Sequence, residues 1–88
     1  MTRPEISRFY GILIKMYFID HNPPHFHAEY GEYRAEYNIK TLEIIDGKLP
    51  GRANALVLEW ASIHPDELLD NWEKAQQAER LKKIRPLD

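Results

Sequence analysis

In the stretch HFHAEYGEYRAEYNI, residues 25–39, polar and apolar side chains alternate along the chain, and this alternation is the clearest indication of the fold. In an extended strand, Phe26, Ala28 and Tyr30 lie on one face, and the two histidines and the glutamate that follows them lie on the other. The same alternation resumes after Gly31, a residue that favours tight turns. The stretch therefore predicts two antiparallel strands joined by a hairpin.

The flanking segments extend this sheet on both sides. SRFYGILIKMYFID, residues 7–20, is rich in β-branched and aromatic residues and predicts one strand that is apolar on both faces except at Lys15. HNPPH, residues 21–25, predicts a turn because proline fixes φ and has no N–H donor. TLEIIDG, residues 41–47, predicts a short strand that ends at Asp46 and Gly47. Together these segments indicate an antiparallel meander of about four strands.

The second half of the chain changes to a helical pattern. Apolar residues recur at helical spacing after Pro50, which suits the first turn of a helix. His64 and Pro65 mark the end of this helix and the start of another, since Asp66 and Glu67 favour the positive end of a helix dipole. The expected fold class is α+β in two layers, with the β-meander followed by two helices packed on one sheet face.

The chain has the length of one compact domain. Its 88 residues are too few for a second core, so residues 1–88 are expected to form a single domain. Residues 80–88 form a basic tail, and we expect Leu81 and Ile84 to pin this tail to the domain. The two tryptophans, Trp60 and Trp72, are expected in the core.

Composition excludes several classes of function. The absence of cysteine removes disulfides, thiolate catalysis and cysteine-ligated metals, so any metal would need histidine and carboxylate ligands. Apolar runs are short and the N-terminus is polar, which predicts a cytoplasmic protein with no membrane span. The net charge is −2, with basic ends and an acidic middle, so binding to RNA would need a local basic patch.

Polar side chains of the predicted hairpin share one sheet face. His25, His27 and Glu29 have the same parity on one strand, and Arg34 has the matching parity on the next. Lys15 can join them from the first strand. One interpretation is an ordinary solvated face, because an antiparallel sheet covered on one side exposes polar residues on the other. That interpretation leaves the three clustered histidines unexplained.

A second interpretation is a metal site. Imidazoles two residues apart on a strand can converge on one ion. His21 from the proline corner, or Glu29 further along the strand, can complete a set with His25 and His27 for zinc or another divalent transition metal. Asp20 and Glu29 are candidates for carboxylates that orient these ligands. Without such a metal, no cofactor is expected.

A third interpretation is phosphodiester chemistry without a metal. His25 and His27 would form the general acid–base pair of a ribonuclease, Lys15 and Arg34 would stabilise charge on the phosphate, and Glu29 would orient a histidine. A fourth interpretation is a non-enzymatic binding module, in which the polar strip or an open strand edge meets a protein partner.

The motif HNPPHFHAEYG, residues 21–31, followed by GKLPGRANALVLEWASIHPDELLDNWE, residues 47–73, resembles a group of short bacterial proteins known as a domain of unknown function. The resemblance covers roughly residues 4–77. The signature positions are His21, Asn22, Pro23, Pro24, His25, Phe26, His27, Glu29, Tyr30 and Gly31.

The resemblance implies a role in a two-gene module. Genes of this family often lie beside a second small gene, and some members are described as toxins of type II toxin–antitoxin pairs. A small cytoplasmic bacterial protein that acts on RNA and binds the small protein encoded by its neighbouring gene is therefore expected. No agreed catalytic residues come with the resemblance.

Overall fold

Five antiparallel strands and two helices make up the fold. The computed structural model describes residues 4–88. Its elements are β1 (Glu5–Phe9), β2 (Ile12–Lys15), β3 (His25–Tyr30), β4 (Tyr33–Asn38), β5 (Ile44–Lys48), α1 (Gly51–Ile63) and α2 (Pro65–Gln76). The strands form one sheet in the order β1-β2-β3-β4-β5. The α+β class and the meander are confirmed, but the number of strands is five instead of about four.

The extra strand comes from a turn inside residues 7–20, where one long strand was expected. Phe9 pairs with Ile12, and the two residues between them, Tyr10 and Gly11, have φ values of 49° and 80°. A two-residue hairpin loop with positive φ at both positions matches the right-handed twist of the flanking strands. Tyrosine is uncommon in that conformation, so the sequence pattern did not signal the turn.

The central hairpin follows the predicted register. His27 pairs with Glu36 and Glu29 pairs with Arg34 across β3 and β4. Gly31 has a φ of 59° and begins the two-residue loop that joins these strands. The alternation over residues 25–39 therefore predicted both the pairing and the facing of these side chains.

β5 ends later in the chain than the sequence pattern predicted. The strand continues through Asp46 and Gly47, where the sequence pattern indicated that it would stop. One extra residue, Ile45, bulges out because its neighbours on either side pair with the consecutive β4 residues Glu36 and Tyr37. A bulge of this kind shifts the pairing by one residue.

The two helices cover one face of the sheet and bury the core against it. Trp60 is fully buried and packs against Phe9 and Phe26, with ring centroids 5.4 and 5.9 Å apart. α1 ends at Ile63 and α2 begins at Pro65, as predicted. Within residues 4–88, neither helix is long and apolar enough to cross a membrane.

The basic tail lies along the free edge of β1. The backbone N–H of Ile84 donates to the carbonyl of Ile6 at 2.8 Å, and the hydroxyl of Ser7 donates to the carbonyl of Ile84 at 2.9 Å. The side-chain amide of Asn71 contacts the backbone N and O of Lys82 at 2.9 and 2.8 Å. The tail is therefore pinned at Ile84 as expected, and the edge of β5 stays open, with all five of its residues exposed.

Candidate functional site

A loop over residues 16–24, here called the corner loop, carries Asp20 to the start of β3. The backbone N–H of Ile19 donates to the carbonyl of Ala75 in α2 at 3.0 Å. The next residue, Asp20, accepts a hydrogen bond from the backbone N–H of His21 at Oδ1, at 2.9 Å. The loop is thus tied to the helical layer at the residue before its carboxylate.

Both histidines of β3 meet the other oxygen of this carboxylate. Asp20 Oδ2 lies 3.0 Å from His25 Nε2 and 3.4 Å from His27 Nε2. The two imidazole rings are 5.1 Å apart between centroids. One ligand atom from each of the three residues lies within 4.8 Å of the others. We call Asp20, His25 and His27 the histidine corner.

The hydrogen bonds of His25 define what its second nitrogen can do. His25 Nδ1 lies 2.7 Å from the carbonyl oxygen of Pro23, and a carbonyl can only accept, so Nδ1 carries a proton. A neutral imidazole has one N–H, which leaves Nε2 as a lone pair facing Asp20 Oδ2. Two acceptors at 3.0 Å need a proton or a cation between them. Histidines that bind metals commonly donate their other N–H to a backbone carbonyl in this way.

The carboxylate of the corner is held in its charged form. Partial burial acts to raise the pKa of Asp20, but the hydrogen bonds from the His21 N–H and from His27, together with the neighbouring His25 ring, outweigh burial and lower that pKa below its ordinary value. The histidine corner therefore offers an anionic oxygen to whatever lies between the imidazoles.

His25 is more buried than the sequence indicated. Its side chain is 2% exposed, and its ring lies 5.2 Å from that of Trp72 in α2. The expectation that both imidazoles project away from the helical layer is wrong for His25, because α2 and the corner loop enclose the end of β3. His27 is 21% exposed and its ring meets the ring of Tyr17 edge-on at 4.7 Å.

His21 does not join the compact set that the sequence assigned to a metal. Its side chain is 82% exposed, and its Nδ1 lies 3.0 Å from Asp20 Oδ1. His25 and His27 contact the other oxygen of this carboxylate, Oδ2. Asp20, which the sequence indicated only as an orienting carboxylate, takes the third position. The candidate metal ligands are therefore Asp20, His25 and His27.

The predicted phosphate-stabilising residues lie further along the same face. Lys15 Nζ forms an ion pair with Glu29 Oε2 at 3.2 Å. Glu29 was predicted to orient a histidine, but it contacts this lysine instead. The carboxylate that contacts both histidines of β3 is Asp20. Arg34 lies opposite Glu29 on β4 and is exposed. The catalytic roles of these residues remain predictions.

A shallow cleft of about 290 Å³ adjoins the histidine corner. We call it the polar cleft, and its charged and aromatic lining consists of Tyr17, His27, Glu29, Arg34, Glu36 and Asp46. His27 belongs to both the corner and the cleft. Glu36 also approaches both, since its Oε1 lies 3.7 Å from His25 Nε2.

Sequence reasoning missed two carboxylates of this region as site residues. Glu36 is two residues from Arg34 on the same strand, so both side chains lie on the polar face of the sheet. This parity was the signal that could have identified Glu36. Asp46 gave no comparable signal, because it reaches the polar cleft only through the bulge that continues β5 past the expected turn.

Comparison with known proteins gives a family and no closer relative. Neither the curated proteins nor the solved structures contain a match to this chain. A family model described as "Domain of unknown function (DUF4160)" matches residues 11–73, a span that includes the corner loop, the hairpin and most of both helices. The chain therefore belongs to the DUF4160 family.

Proposed function

We propose that this chain is a metal-binding domain that holds one divalent transition-metal ion, zinc in the first place, at the histidine corner. The single observation that carries the proposal is the paired contact of His25. Its Nδ1 is 2.7 Å from the Pro23 carbonyl and its Nε2 is 3.0 Å from Asp20 Oδ2. This arrangement directs a lone pair and a carboxylate at the same point.

The spacing of the ligand atoms supports zinc. Zinc–nitrogen and zinc–oxygen bonds of about 2.0 to 2.1 Å put two tetrahedral ligand atoms about 3.4 Å apart. The two histidine–Asp20 contacts measure 3.0 and 3.4 Å. Small side-chain adjustments would therefore suffice for coordination.

The chemistry of the donors supports a transition metal over calcium or magnesium. Imidazole ligands suit zinc, iron, nickel and copper, whereas calcium and magnesium take oxygen ligands. Three protein ligands leave a further coordination position, as in metal sites that bind water or a substrate. Since His27 forms part of the wall of the polar cleft, the remaining position would face that cleft.

A zinc titration of untagged protein tests the proposal, with binding measured by calorimetry and by the fluorescence of Trp72, whose ring lies 5.2 Å from that of His25. We expect one zinc per chain. Asp20→Asn and His27→Gln should each weaken binding by more than about 100-fold, because each changes a direct ligand and loss of an outer-shell partner alone costs about 10- to 100-fold. His21→Gln is the matched control, because its exposed ring lies outside the compact set, and it should bind zinc like the wild type.

Two results would count against the metal proposal. One is the absence of stoichiometric zinc binding in the wild-type protein. The other is an equal loss of affinity in His21→Gln and His27→Gln, which would indicate adventitious binding by surface histidines.

A second proposal is that the chain is the toxin of a two-gene module and acts on RNA. Its support is the family resemblance together with the position of His27 beside Arg34 in the lining of the polar cleft. His25 is too buried to touch a substrate directly, so His27 is the candidate for proton transfer. Three carboxylates line the cleft with one arginine, and this balance of charge disfavours tight phosphate binding.

Bacterial growth tests the toxin proposal. Expression of the wild type should slow growth, and His27→Gln should relieve this effect while leaving the fold intact. Equal growth with the wild type and an empty vector contradicts the proposal. Co-expression with the product of the neighbouring gene tests the partner. The open edge of β5, with Ile44 and Ile45 each about two-fifths exposed (41% and 44%), offers it a strand to pair with.

A further inference from the structure

We infer that the polar cleft binds a small zwitterion of dipeptide size. Its ammonium group would lie between Glu36 and Asp46, and its carboxylate would lie at Arg34 and Lys48. This binding site goes beyond the metal centre and does not depend on it. It is carried by the way in which charges are paired across β4 and β5.

Two like-charge pairs stand side by side on these strands. Glu36 pairs directly with Asp46, and Arg34 pairs directly with Lys48. Directly opposite residues of an antiparallel pair project from the same face, with Cβ atoms about 4.5 to 5.5 Å apart, and like charges in such positions destabilise a sheet. We call the first pair the anionic rung and the second the cationic rung.

Most of the charged side chains in the two rungs have no ion-pair partner among residues 4–88. Glu29, which lies opposite Arg34 on the other side, forms its ion pair with Lys15 at 3.2 Å. Among residues 4–88, none of Arg34, Asp46 and Lys48 takes part in an ion pair within 4 Å. Glu36 has one contact of this kind, with its Oε1 3.7 Å from His25 Nε2. The cleft therefore has an anionic end at Glu36 and Asp46 and a cationic end at Arg34, with Lys48 paired to Arg34 just outside the cleft lining.

The distance between the rungs sets the size of the ligand. The rungs are two residues apart along each strand, which corresponds to about 6.5 to 7 Å. An extended dipeptide spans about 7 Å at most, so its two termini can reach both rungs at once. The backbone of Ala35 and Gly47 lies between the rungs in the lining of the cleft, and a cleft of about 290 Å³ accommodates a molecule of this size.

The charge pattern selects a zwitterion over other small ligands. A simple anion would be attracted by Arg34 and Lys48 and repelled by Glu36 and Asp46, and a simple cation would meet the opposite situation. A molecule with an ammonium group and a carboxylate at the matching separation neutralises both rungs. It therefore relieves both like-charge contacts in one binding event.

Titration with glycylglycine at low ionic strength tests the inference, with backbone amide signals followed by NMR. We expect the signals of β4 and β5 to shift. N-acetyl-glycylglycine and glycylglycinamide each lack one terminal charge and should bind about tenfold more weakly, because each loses its contact with a whole rung.

Single substitutions identify the two ends of the ligand. Arg34→Gln should weaken binding of glycylglycine about threefold, and so should Asp46→Asn, because each removes one of two like charges at its rung. Glu32→Gln is the matched control: Glu32 is exposed in the β3–β4 turn and lies outside the cleft lining, so binding should be unchanged. All three sites are on the surface, and thermal unfolding checks that the variants stay folded.

Two outcomes overturn the inference. One is the absence of shifts in β4 and β5 at high glycylglycine concentration. The other is equal binding of glycylglycine and both of its blocked forms. Repeating the titration with Asp20→Asn separates this inference from the metal proposal, because the variant should lose zinc and keep the dipeptide.

Discussion

The histidine corner and the polar cleft share one sheet face but differ in how their charges are satisfied. In the corner, Asp20 contacts both His25 and His27, and the second nitrogen of His25 contacts Pro23. In the cleft, like charges face each other across β4 and β5. The protein itself therefore holds the corner in one arrangement, whereas most of the charges on the two rungs have no ion-pair partner among residues 4–88.

The largest expected loss of stability comes from replacing Gly47, which lines the polar cleft and lies outside the histidine corner. A Cβ added to Gly47 would lie 2.2 Å from the carbonyl oxygen of Arg34, and Gly47 has a φ of 77°. We expect Gly47→Ala to destabilise the protein by about 3 kcal/mol or more, because it combines backbone strain with a backbone clash. Denaturant unfolding measures this loss.

Gly51→Ala is the matched control for that substitution. Gly51 has no atom within 4 Å of an added Cβ and lies at the start of α1, so alanine there should stabilise the protein by about 0.5 to 1 kcal/mol. Equal effects of the two substitutions would contradict the close approach of β5 to β4 under the cleft.

Tyr37, which is buried on the core side of β4, makes the stability of the protein depend on pH. Burial raises the pKa of Tyr37 to about 12, compared with 10.0 for the free side chain. Since the folded pKa is the higher one, the contribution of Tyr37 to stability is fully present below pH 10 and is lost as the pH rises toward 12. The loss should reach about 2 to 3 kcal/mol.

Tyr37→Phe isolates this effect from the other tyrosines. The variant loses the hydrogen bond from the Tyr37 hydroxyl to Asn54 Oδ1, at 2.6 Å, which should lower stability by about 1 kcal/mol at neutral pH. Since the wild type then loses about 2 to 3 kcal/mol between pH 10 and pH 12, the difference in unfolding free energy should pass through zero, and the variant should be the more stable protein near pH 12. A constant difference would contradict the burial of the hydroxyl.

Within the corner, the buried histidine should matter more for stability than the exposed one. His25→Gln should destabilise the metal-free protein by about 2 kcal/mol, because it disturbs the packing on Trp72 and the contacts with Pro23 and Asp20. His21→Gln should change stability by less than about 0.5 kcal/mol, as expected for an exposed side chain. Thermal unfolding of both variants without metal measures the contrast, and equal losses would contradict it.

The smallest expected effect comes from reversing one charge of the cleft. Asp46→Lys turns the anionic rung into a pair of opposite charges with Glu36, so it should stabilise the protein by about 0.2 to 1 kcal/mol. Denaturant unfolding at low salt would detect this gain, and 1 M salt should reduce it. A loss of stability would indicate that Glu36 and Asp46 do not face each other across the strands.

Much of the fold followed from local patterns. The alternation over residues 25–39 predicted the hairpin and its facing, and the His64–Pro65 boundary predicted where one helix ends and the next begins. The turn at Tyr10 and Gly11 was missed because a tyrosine with a φ of 49° depends on the pairing of the flanking strands and has no clear sequence signal.

The site was less predictable because it depends on contacts between distant segments. Parity placed His25 and His27 on one face, but the position of Asp20 depends on the corner loop, where Ile19 has a φ of 51° and bonds to Ala75 in α2. The burial of His25 likewise depends on Trp72, which is 47 positions later in the chain. Neither contact can be derived from local periodicity.

Anomalous diffraction at the zinc absorption edge, from crystals of the zinc-loaded protein, would locate the metal. We expect one anomalous peak within about 2.0 to 2.2 Å of His25 Nε2, His27 Nε2 and a carboxylate oxygen of Asp20. A peak bound by His21 without His25, or the absence of any peak at the histidine corner, would contradict the metal proposal.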